Sequence, residues 1–303
     1  MTQPLASAQA DEMQMPARPD LIRLIIGIFG IGSSGPLIAL STMPVPILIF
    51  WRNLAGSLIT LPFALKHKID RIGARWAALA GVLLALHFIC FFAAMRMTSV
   101  TAGTAIVATQ PIFAAIFVKL TGGVIHPKVW LGMFISFLGV LVVTGIDLQL
   151  DSRSFIGDMA ALVSGALAAA YMLIGSKAQK SLETMTYTTI AYLFTALTVF
   201  PMILFYGYDF FQYSQDEWLI LGALILGAQI LGHTMFNIAL KRVSPAVVSM
   251  IVFFEVPVAA VVAMIFKIGK QPSLTIIPGV LLIIAGCFMV VLRAKPKKVM
   301  TEE

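Results

Sequence analysis

The sequence has few charged residues and few cysteines, and each shortage excludes a class of protein. Only 12% of its 303 residues are charged, about half the share that is usual in soluble domains, whereas 59% are hydrophobic. The two cysteines, Cys90 and Cys287, both fall inside apolar segments. They are predicted to be free buried thiols, so no disulfide framework is indicated. This composition predicts a protein that lies mostly within a lipid bilayer.

The residue patterns typical of catalysis are also missing. The sequence has no nucleophile elbow, phosphate-binding loop, metal-ligand spacing or carboxylate pair, so we expect neither an enzyme nor a bound cofactor or metal. A net charge of +7 could suggest nucleic acid. The basic residues, however, lie at the ends of apolar segments, as the topology of a membrane protein predicts. No nucleic-acid partner is expected, and the lipid bilayer is.

Ten segments are apolar and long enough to cross a membrane as helices, which takes about 20 residues. They cover approximately residues 21–40, 44–65, 76–97, 100–120, 129–148, 156–177, 184–208, 217–240, 245–267 and 274–293. The predicted fold class is therefore an all-α integral membrane protein with ten transmembrane helices. The polar residues 1–20 are predicted to form a disordered tail, and residues 294–303 a second tail.

The basic residues also orient the predicted helices. With the N-terminus in the cytoplasm, 16 of the 21 basic residues fall on the cytoplasmic side and 4 on the outer side, which is the bias of the positive-inside rule. We therefore expect a multi-pass protein of the cell membrane with both termini cytoplasmic. Six acidic residues are expected to be solvated at the outer boundary: Asp147, Asp151, Asp158, Asp209, Asp216 and Glu217.

The two halves of the sequence resemble each other. HFICFFAAMRMTSV (87–100) aligns with HTMFNIALKRVSPA (233–246), so that His87 matches His233 at an offset of 146 positions. The same offset pairs Ala93 with Ala239, Arg96 with Arg242, Pro111 with Pro257 and Ala114 with Ala260. One residue later in register, Gly132 meets Gly279 and Gly139 meets Gly286.

Each repeat contains five predicted helices, an odd number, so the second repeat (149–293) crosses the membrane upside down relative to the first (21–148). Inverted repeats of this kind are typical of secondary transporters, whose substrate site lies near the middle of the membrane where the repeats meet. The repeat therefore favours a transporter.

Several stretches resemble the drug/metabolite transporter superfamily, EamA type. They include FWRNLAG (50–56), TSVTAGTAIVATQPIFAAI (98–116), GDMAALVSGALAAAYMLIG (157–175) and ALKRVSPAVVSMIVFFEVPVAAVVA (239–263), and the resemblance covers about residues 21–293. It implies ten helices in two inverted five-helix repeats, cytoplasmic termini and a central cavity for small organic solutes. Many members export amino acids or other metabolites. Members commonly carry a Gly-Glu pair after the fourth and ninth helices, which this sequence lacks.

Glu255 is the only acidic residue deep within a predicted helix. It lies ten residues after Pro245, and Pro257 follows it. That depth is roughly 15 Å, close to the middle of the membrane, where a carboxylate costs about 2.5 kcal/mol or more. Three roles stay open: contact with a substrate ammonium, binding of a coupling proton, and a structural hydrogen bond to a neighbouring helix.

Other polar residues within the predicted helices have both a functional and a structural interpretation. Arg52 could bind a substrate carboxylate or satisfy helix carbonyls. Gln229, His233 and Asn237 are spaced as one helical stripe, which either lines a pathway or joins helices. No second ligand cluster makes that stripe a metal site.

The remaining candidates are weaker. His87, the repeat partner of His233, lies near the middle of the membrane and either lines the pathway or packs. The same alternatives apply to Gln110, which precedes Pro111 much as Glu255 precedes Pro257. Ser33 and Ser34 lie in GIFGIGSSGP (27–36), whose glycines either open the helix or allow close packing. Tyr171 matches an aromatic position that is common in the resembling family.

The predicted function is a secondary transporter that moves small organic metabolites, amino-acid-like or related, outward across the cell membrane by alternating access. The proton is the coupling ion considered. The alternative is an uncoupled uniporter or channel-like pathway. The sequence leaves open the substrate, the direction, the coupling ion, the oligomeric state and whether Arg52 and Glu255 interact.

Overall fold

The computed structural model describes residues 17–122, 125–144, 151–243, 245–268 and 276–291. Within these ranges the chain is helical, and no described residue lies in a β-strand. The predicted tail 294–303, most of the predicted tail 1–20 and the predicted helix ends at 145–148, 274–275 and 292–293 lie outside the described residues.

The described helices form ten segments, numbered here α1 to α10. Eight are long and apolar enough to cross a membrane: α1 (Arg18–Leu40), α2 (Val45–Ala64), α3 (Arg71–Met97), α4 (Val100–Leu120), α6 (Ser152–Ala178), α7 (Thr184–Tyr206), α8 (Gln215–Leu240) and α9 (Val247–Ile265). The other two helices are α5 (Pro127–Thr144) and α10 (Ile276–Val291). Their described apolar stretches are shorter, at 10–17 residues. The expectation of an all-α membrane protein is confirmed for the described residues.

Local sequence explains where several helices begin and end. The side chains of Asp70, Ser99 and Asp151 accept hydrogen bonds from backbone N–H groups in the first turns of α3, α4 and α6. Such N-caps satisfy donors that have no partner within the helix. Gly207 ends α7 with φ of 65°, a left-handed conformation that glycine adopts without strain. These capping residues therefore determine where the helices stop and the loops begin.

Four helices are irregular, and in three of them, α1, α4 and α9, a proline follows the irregularity within three residues. α1 is interrupted by a single turn residue, Ser33, and α4 is interrupted before Pro111. α8 contains a π-helix at Leu224–Thr234, and α9 contains a 3-10 turn at Val252–Phe254, before Pro257. Proline removes a backbone donor and so weakens the helical ladder. For the glycine-rich stretch of α1, opening of the helix and close packing were the alternatives, and the interruption there is confined to Ser33.

The helices pair closely through small residues. α3 packs along α6, α8 along α1, α2 along α7, and α5 along α10. A Cβ atom built on Gly139 of α5 would lie 2.6 Å from the carbonyl oxygen of Gly279 in α10. A Cβ atom on Gly286 would likewise collide with the carbonyl oxygen of Gly132. Only glycine allows these backbones to approach so closely, as is usual in membrane helix pairs.

Two opposite ends of the bundle are distinguished by their loops. The Ser41 end carries the α1–α2, α3–α4 and α7–α8 loops, where Trp51 Nε1 donates to the Phe210 carbonyl at 2.9 Å. The Asp70 end carries the α2–α3, α6–α7 and α8–α9 loops, where Ser181 Oγ donates to the Asp70 carboxylate at 2.9 Å. α1 begins at Arg18, earlier than predicted.

Candidate functional site

A cavity lies in the middle of the bundle, between helices of the two halves of the chain. Its free volume is about 30 Å³. α1, α3 and α4 form one side, and α6, α8 and α9 form the other. Among the residues that line it are six of the predicted site residues: Ser34, His87, Gln110, Tyr171, His233 and Glu255. The free volume is room for about two water molecules, so the cavity must widen to hold an organic solute.

Glu255 provides the only carboxylate among the residues that line the cavity. It is 4% exposed and follows directly on the 3-10 turn of α9. Within the described residues its carboxylate makes no hydrogen bond or ion pair to a protein group. A buried carboxylate without a protein partner is energetically unfavourable, so it requires a proton, a solute or water from the cavity.

His87 and His233 face each other across the cavity, with ring centroids 6.5 Å apart. Nδ1 of His87 lies 3.0 Å from the carbonyl oxygen of Ser164 and 2.8 Å from its hydroxyl. A carbonyl can only accept, so Nδ1 of His87 is the protonated nitrogen in that pairing and Nε2 is left as an acceptor. The His233 ring meets the ring of Phe88 edge-on at 5.2 Å.

Tyr171 and Gln110 each contact a neighbouring side chain. The Tyr171 hydroxyl donates to Oδ1 of Asn237 at 2.9 Å, and Nδ2 of Asn237 is buried without a partner in the described part of the chain. Nε2 of Gln110 lies 3.2 Å from the thioether sulfur of Met172, a weak acceptor. Gln110 therefore has hydrogen-bonding capacity to spare at the cavity wall.

Arg52 contacts cavity-lining residues but does not line the cavity itself. It is completely buried, and its Nε donates to Oε1 of Gln229 at 2.6 Å. Its Nη1 lies 3.5 Å from the hydroxyl of Ser34, and the guanidinium carbon lies 4.4 Å from the centre of the Phe88 ring. Arg52 and Glu255 form no ion pair in the structure as described. These contacts favour the structural interpretation of Arg52.

The predicted polar stripe of α8 divides among three environments. Gln229 binds Arg52 and Asn53, His233 lines the cavity, and Asn237 binds Tyr171. Gln229 and His233 lie within the π-helix, whose wider turns change the direction in which successive side chains point.

The serine pair of α1 separates in the same way. Ser34 faces the cavity, while the hydroxyl of Ser33 donates to the carbonyl of Gly30 in its own helix at 2.7 Å. Ser33 is therefore not a cavity residue in this structure.

The expectation that Glu217 is solvated is wrong. Glu217 is 7% exposed, and its carboxylate accepts hydrogen bonds from the α1–α2 loop. Its neighbour Asp216 is exposed, as predicted, and so are Asp151 and Asp209. Asp147 lies outside the described residues. A carboxylate in the first turn of a helix, such as that of Glu217, is stabilised by the helix dipole. Nothing in the sequence, however, indicates that its partner is a loop about 175 residues away.

Two relatives match the chain over most of their length. An uncharacterized transporter of Archaeoglobus fulgidus is 25% identical over 252 residues, covering 80% of this chain and 86% of the relative. An uncharacterized transporter of Bacillus subtilis is 24% identical over 295 residues, covering 93% of each. A solved crystal structure matches with a TM-score of 0.71 at 16% identity, over 90% of this chain and 98% of that one, a likeness that concerns the fold.

The sequence profile of the EamA-like transporter family matches twice, at residues 21–145 and 155–292. Together the two matches cover most of the chain, one in each of the halves that meet at the cavity. The expected resemblance is confirmed: the chain belongs to the EamA-like transporter family.

Proposed function

We propose that the protein is a secondary transporter that moves small organic metabolites, amino-acid-like or related, outward across the cell membrane by alternating access. The observation that carries this proposal is the position of Glu255. It is a carboxylate without a protein partner among the described residues, in the wall of a cavity that both halves of the chain build. Such a group can exchange a proton or bind a cationic group of a solute.

The proposed architecture is ten transmembrane helices in two inverted repeats, residues 21–148 and 149–293. The glycine contacts between α5 and α10 support it. Gly139 lies against Gly279, and Gly286 lies against Gly132. In the repeat, Gly139 corresponds to Gly286 and Gly279 corresponds to Gly132. The two contacts are therefore equivalent to each other under the repeat. Reciprocal contacts of this kind are what a two-fold relation between the repeats predicts.

The helix pairs follow the same rule. In the repeat, α3 corresponds to α8, and α6 corresponds to α1. The pair of α3 and α6 is therefore equivalent to the pair of α8 and α1, and the helices of both pairs pack along each other. α2 packs along its own counterpart α7, and α5 along its counterpart α10. His87 faces its repeat partner His233. These pairings support a two-fold axis that passes through the cavity, where inverted-repeat transporters bind their substrates.

The proposed orientation has the Asp70 end and both termini in the cytoplasm, because most basic residues belong to that end. Transport then requires the cavity to open alternately to the two ends. The irregular segments of α1, α4, α8 and α9 lie beside the cavity, and broken helices at this depth are tolerated only where they line a cavity or are buried in protein.

Flux measurements in proteoliposomes test the proposal. Radiolabelled amino acids and related metabolites are presented with and without a pH gradient, and protein-free liposomes are the control. We expect flux of at least one solute that rises with the gradient. Flux that is independent of the gradient would assign an uncoupled uniporter. Folded protein that gives no flux of any solute of the panel, in either direction, would overturn the proposal.

A further inference from the structure

At the Ser41 end of the bundle, one buried carboxylate accepts hydrogen bonds from a single loop. Glu217, in the first turn of α8, accepts from three consecutive residues of the α1–α2 loop. Thr42 N and Thr42 Oγ1 each donate to Oε1 at 2.7 Å. Met43 N donates to Oε2 at 3.3 Å, and the Ser41 hydroxyl donates to Oε2 as well. Both oxygens of Glu217 are thus engaged by one loop.

A second set of contacts ties the same loop to α3. Nη2 of Arg96 donates to the carbonyl of Met43 at 2.7 Å, and Nη2 of Arg153 donates to the carbonyl of Arg96 at 3.1 Å. Met43 itself is completely buried. The loop of the first half is therefore fastened to the start of α8, in the second half.

The two helices that leave this closure are both irregular at the depth of the cavity. α1 is interrupted at Ser33, and α8 is π-helical at Leu224–Thr234. The two irregular regions face each other, since a Cβ atom on Gly30 would lie 2.5 Å from the carbonyl of Gly227. Helices bend most readily at such interruptions. Beyond them, towards the Ser41 end, lie the short regular stretches Ser34–Leu40 and Gln215–Ala223.

We propose that Glu217 and the residues 41–43 form a latch that holds the cavity closed towards the Ser41 end. When the latch releases, the Ser34–Leu40 and Gln215–Ala223 stretches move apart by bending at Ser33 and at the π-helix. This inference rests on the proposed function, because opening towards the Ser41 end is one half of the alternating-access cycle. Loop and helix-end movements of this type commonly gate a binding site.

The opposite end of the bundle has polar contacts of its own. The pair of Lys241 and Glu183, 2.6 Å apart, has side-chain exposures of 33% and 53%. Arg242, which is 67% exposed, lies 3.8 Å from the carboxylate of Asp20, and that carboxylate is 1% exposed and also pairs with Arg23 at 2.6 Å. Lys241 lowers the pKa of Glu183 by a hydrogen bond and by its charge. Exposed ion pairs contribute little to stability. The Lys241–Glu183 pair therefore adds little to the stability of this end.

Labelling of a cysteine in the cavity measures the opening directly. Val107 of α4 lines the cavity, and Val107→Cys in a background without Cys90 and Cys287 is the reporter. A membrane-impermeant thiol reagent is added to sealed proteoliposomes on the side that labels Gln212→Cys, an exposed position of the Ser41 end. Labelling is measured without any solute, so the result does not depend on whether transport is observed.

Glu217→Gln is the test variant and Asp216→Asn its matched control. Both remove one carboxylate from the first turn of α8, but Asp216 is exposed. Loss of the charge-assisted bonds should raise the labelling rate of Val107→Cys about tenfold or more, while Asp216→Asn should leave it unchanged. Thr42→Val, which removes one of the bonds, should give a smaller increase and serves if Glu217→Gln does not insert.

Equal labelling rates in Glu217→Gln, Thr42→Val and Asp216→Asn would overturn the latch, even if the protein transports solutes. Faster labelling in Glu217→Gln and Thr42→Val alone would support the latch, even if the flux assay finds no substrate. Faster labelling in all three variants would mean that the charge at the start of α8 controls the opening and that the bonds to the loop do not. That result would also overturn the latch.

Discussion

Nε of Arg52 donates a hydrogen bond of 2.6 Å to Oε1 of Gln229, and this bond joins α2 to the π-helical stretch of α8. Nε2 of Gln229 donates in turn to Oδ1 of Asn53 at 2.9 Å. The amide of Gln229 is thus held at both ends, and its orientation is fixed. The buried guanidinium of Arg52 therefore has a neutral amide, that of Gln229, as its partner. This bond connects the two halves of the chain beside the cavity.

Gln229→Leu should destabilise the protein by about 1.5–3 kcal/mol, because it leaves the charged Nε of Arg52 buried without an acceptor. The melting temperature in detergent measures this. Gln110→Leu is the matched control, because the amide of Gln110 contacts only the Met172 thioether among the described residues. A decrease in melting temperature of the same size in both variants would contradict the importance of the Arg52–Gln229 bond.

Glu255→Gln tests the role of the cavity carboxylate. If Glu255 carries the coupled proton, the amide mimics a permanently protonated group, and the variant should lose flux driven by a pH gradient yet keep solute exchange. If Glu255 binds a substrate ammonium, exchange should fall too, since a charge-assisted bond contributes about 1.5–3 kcal/mol, or more than tenfold in affinity.

The third role of Glu255 has its own signature. A structural carboxylate predicts unchanged flux and exchange with a lower melting temperature. Glu255→Gln protein with wild-type flux, exchange and stability would contradict all three roles. Asp216→Asn, which removes an exposed carboxylate far from the cavity, controls for the change in charge.

The histidine pair gives a steric test. The rings of His87 and His233 are 6.5 Å apart across the cavity, so that His87→Trp or His233→Trp should fill space that a solute needs. Each variant should reach the membrane but transport at a reduced rate, measured by flux in proteoliposomes after equal reconstitution. Normal flux in both variants would assign the two histidines to packing.

Cysteine labelling in whole cells tests the orientation. Lys68→Cys and Gln212→Cys are at exposed positions of the Asp70 end and the Ser41 end. An impermeant reagent should label Gln212→Cys in intact cells, and Lys68→Cys only after the membrane is permeabilised. The reverse pattern would invert the orientation, and labelling of both in intact cells would contradict the inverted repeats.

The sequence predicted the helices and much of the cavity because both depend on local composition. Apolar length gives the membrane helices, and a polar residue such as Glu255 within hydrocarbon must face the protein interior or a cavity. The π-helix of α8 could not be predicted, since its apolar composition fits an α-helix equally well. It changes the directions of Gln229 and His233, which an ideal α-helical spacing places on one face.

Glu217 shows a second limit of sequence reasoning. Its exposed neighbour Asp216 is also acidic and also lies in the first turn of α8. What distinguishes the two is the loop that lies against one of them in the folded protein. Pairings between distant loops depend on the arrangement of the helices, which the spacing of residues along the chain does not contain.

The close pairing of α5 with α10 has a consequence for biosynthesis. α5 presents Gly132, Ser136 and Gly139 to α10, and Ser136 Oγ bonds to the Ile283 carbonyl at 3.2 Å. α10 is translated well after α5, so at ordinary rates of translation α5 waits on the order of 10 s for its partner. During that time its small-residue face is free in the membrane. The α5–α10 pair therefore forms late, and chains truncated before residue 276 should be targets for membrane quality control.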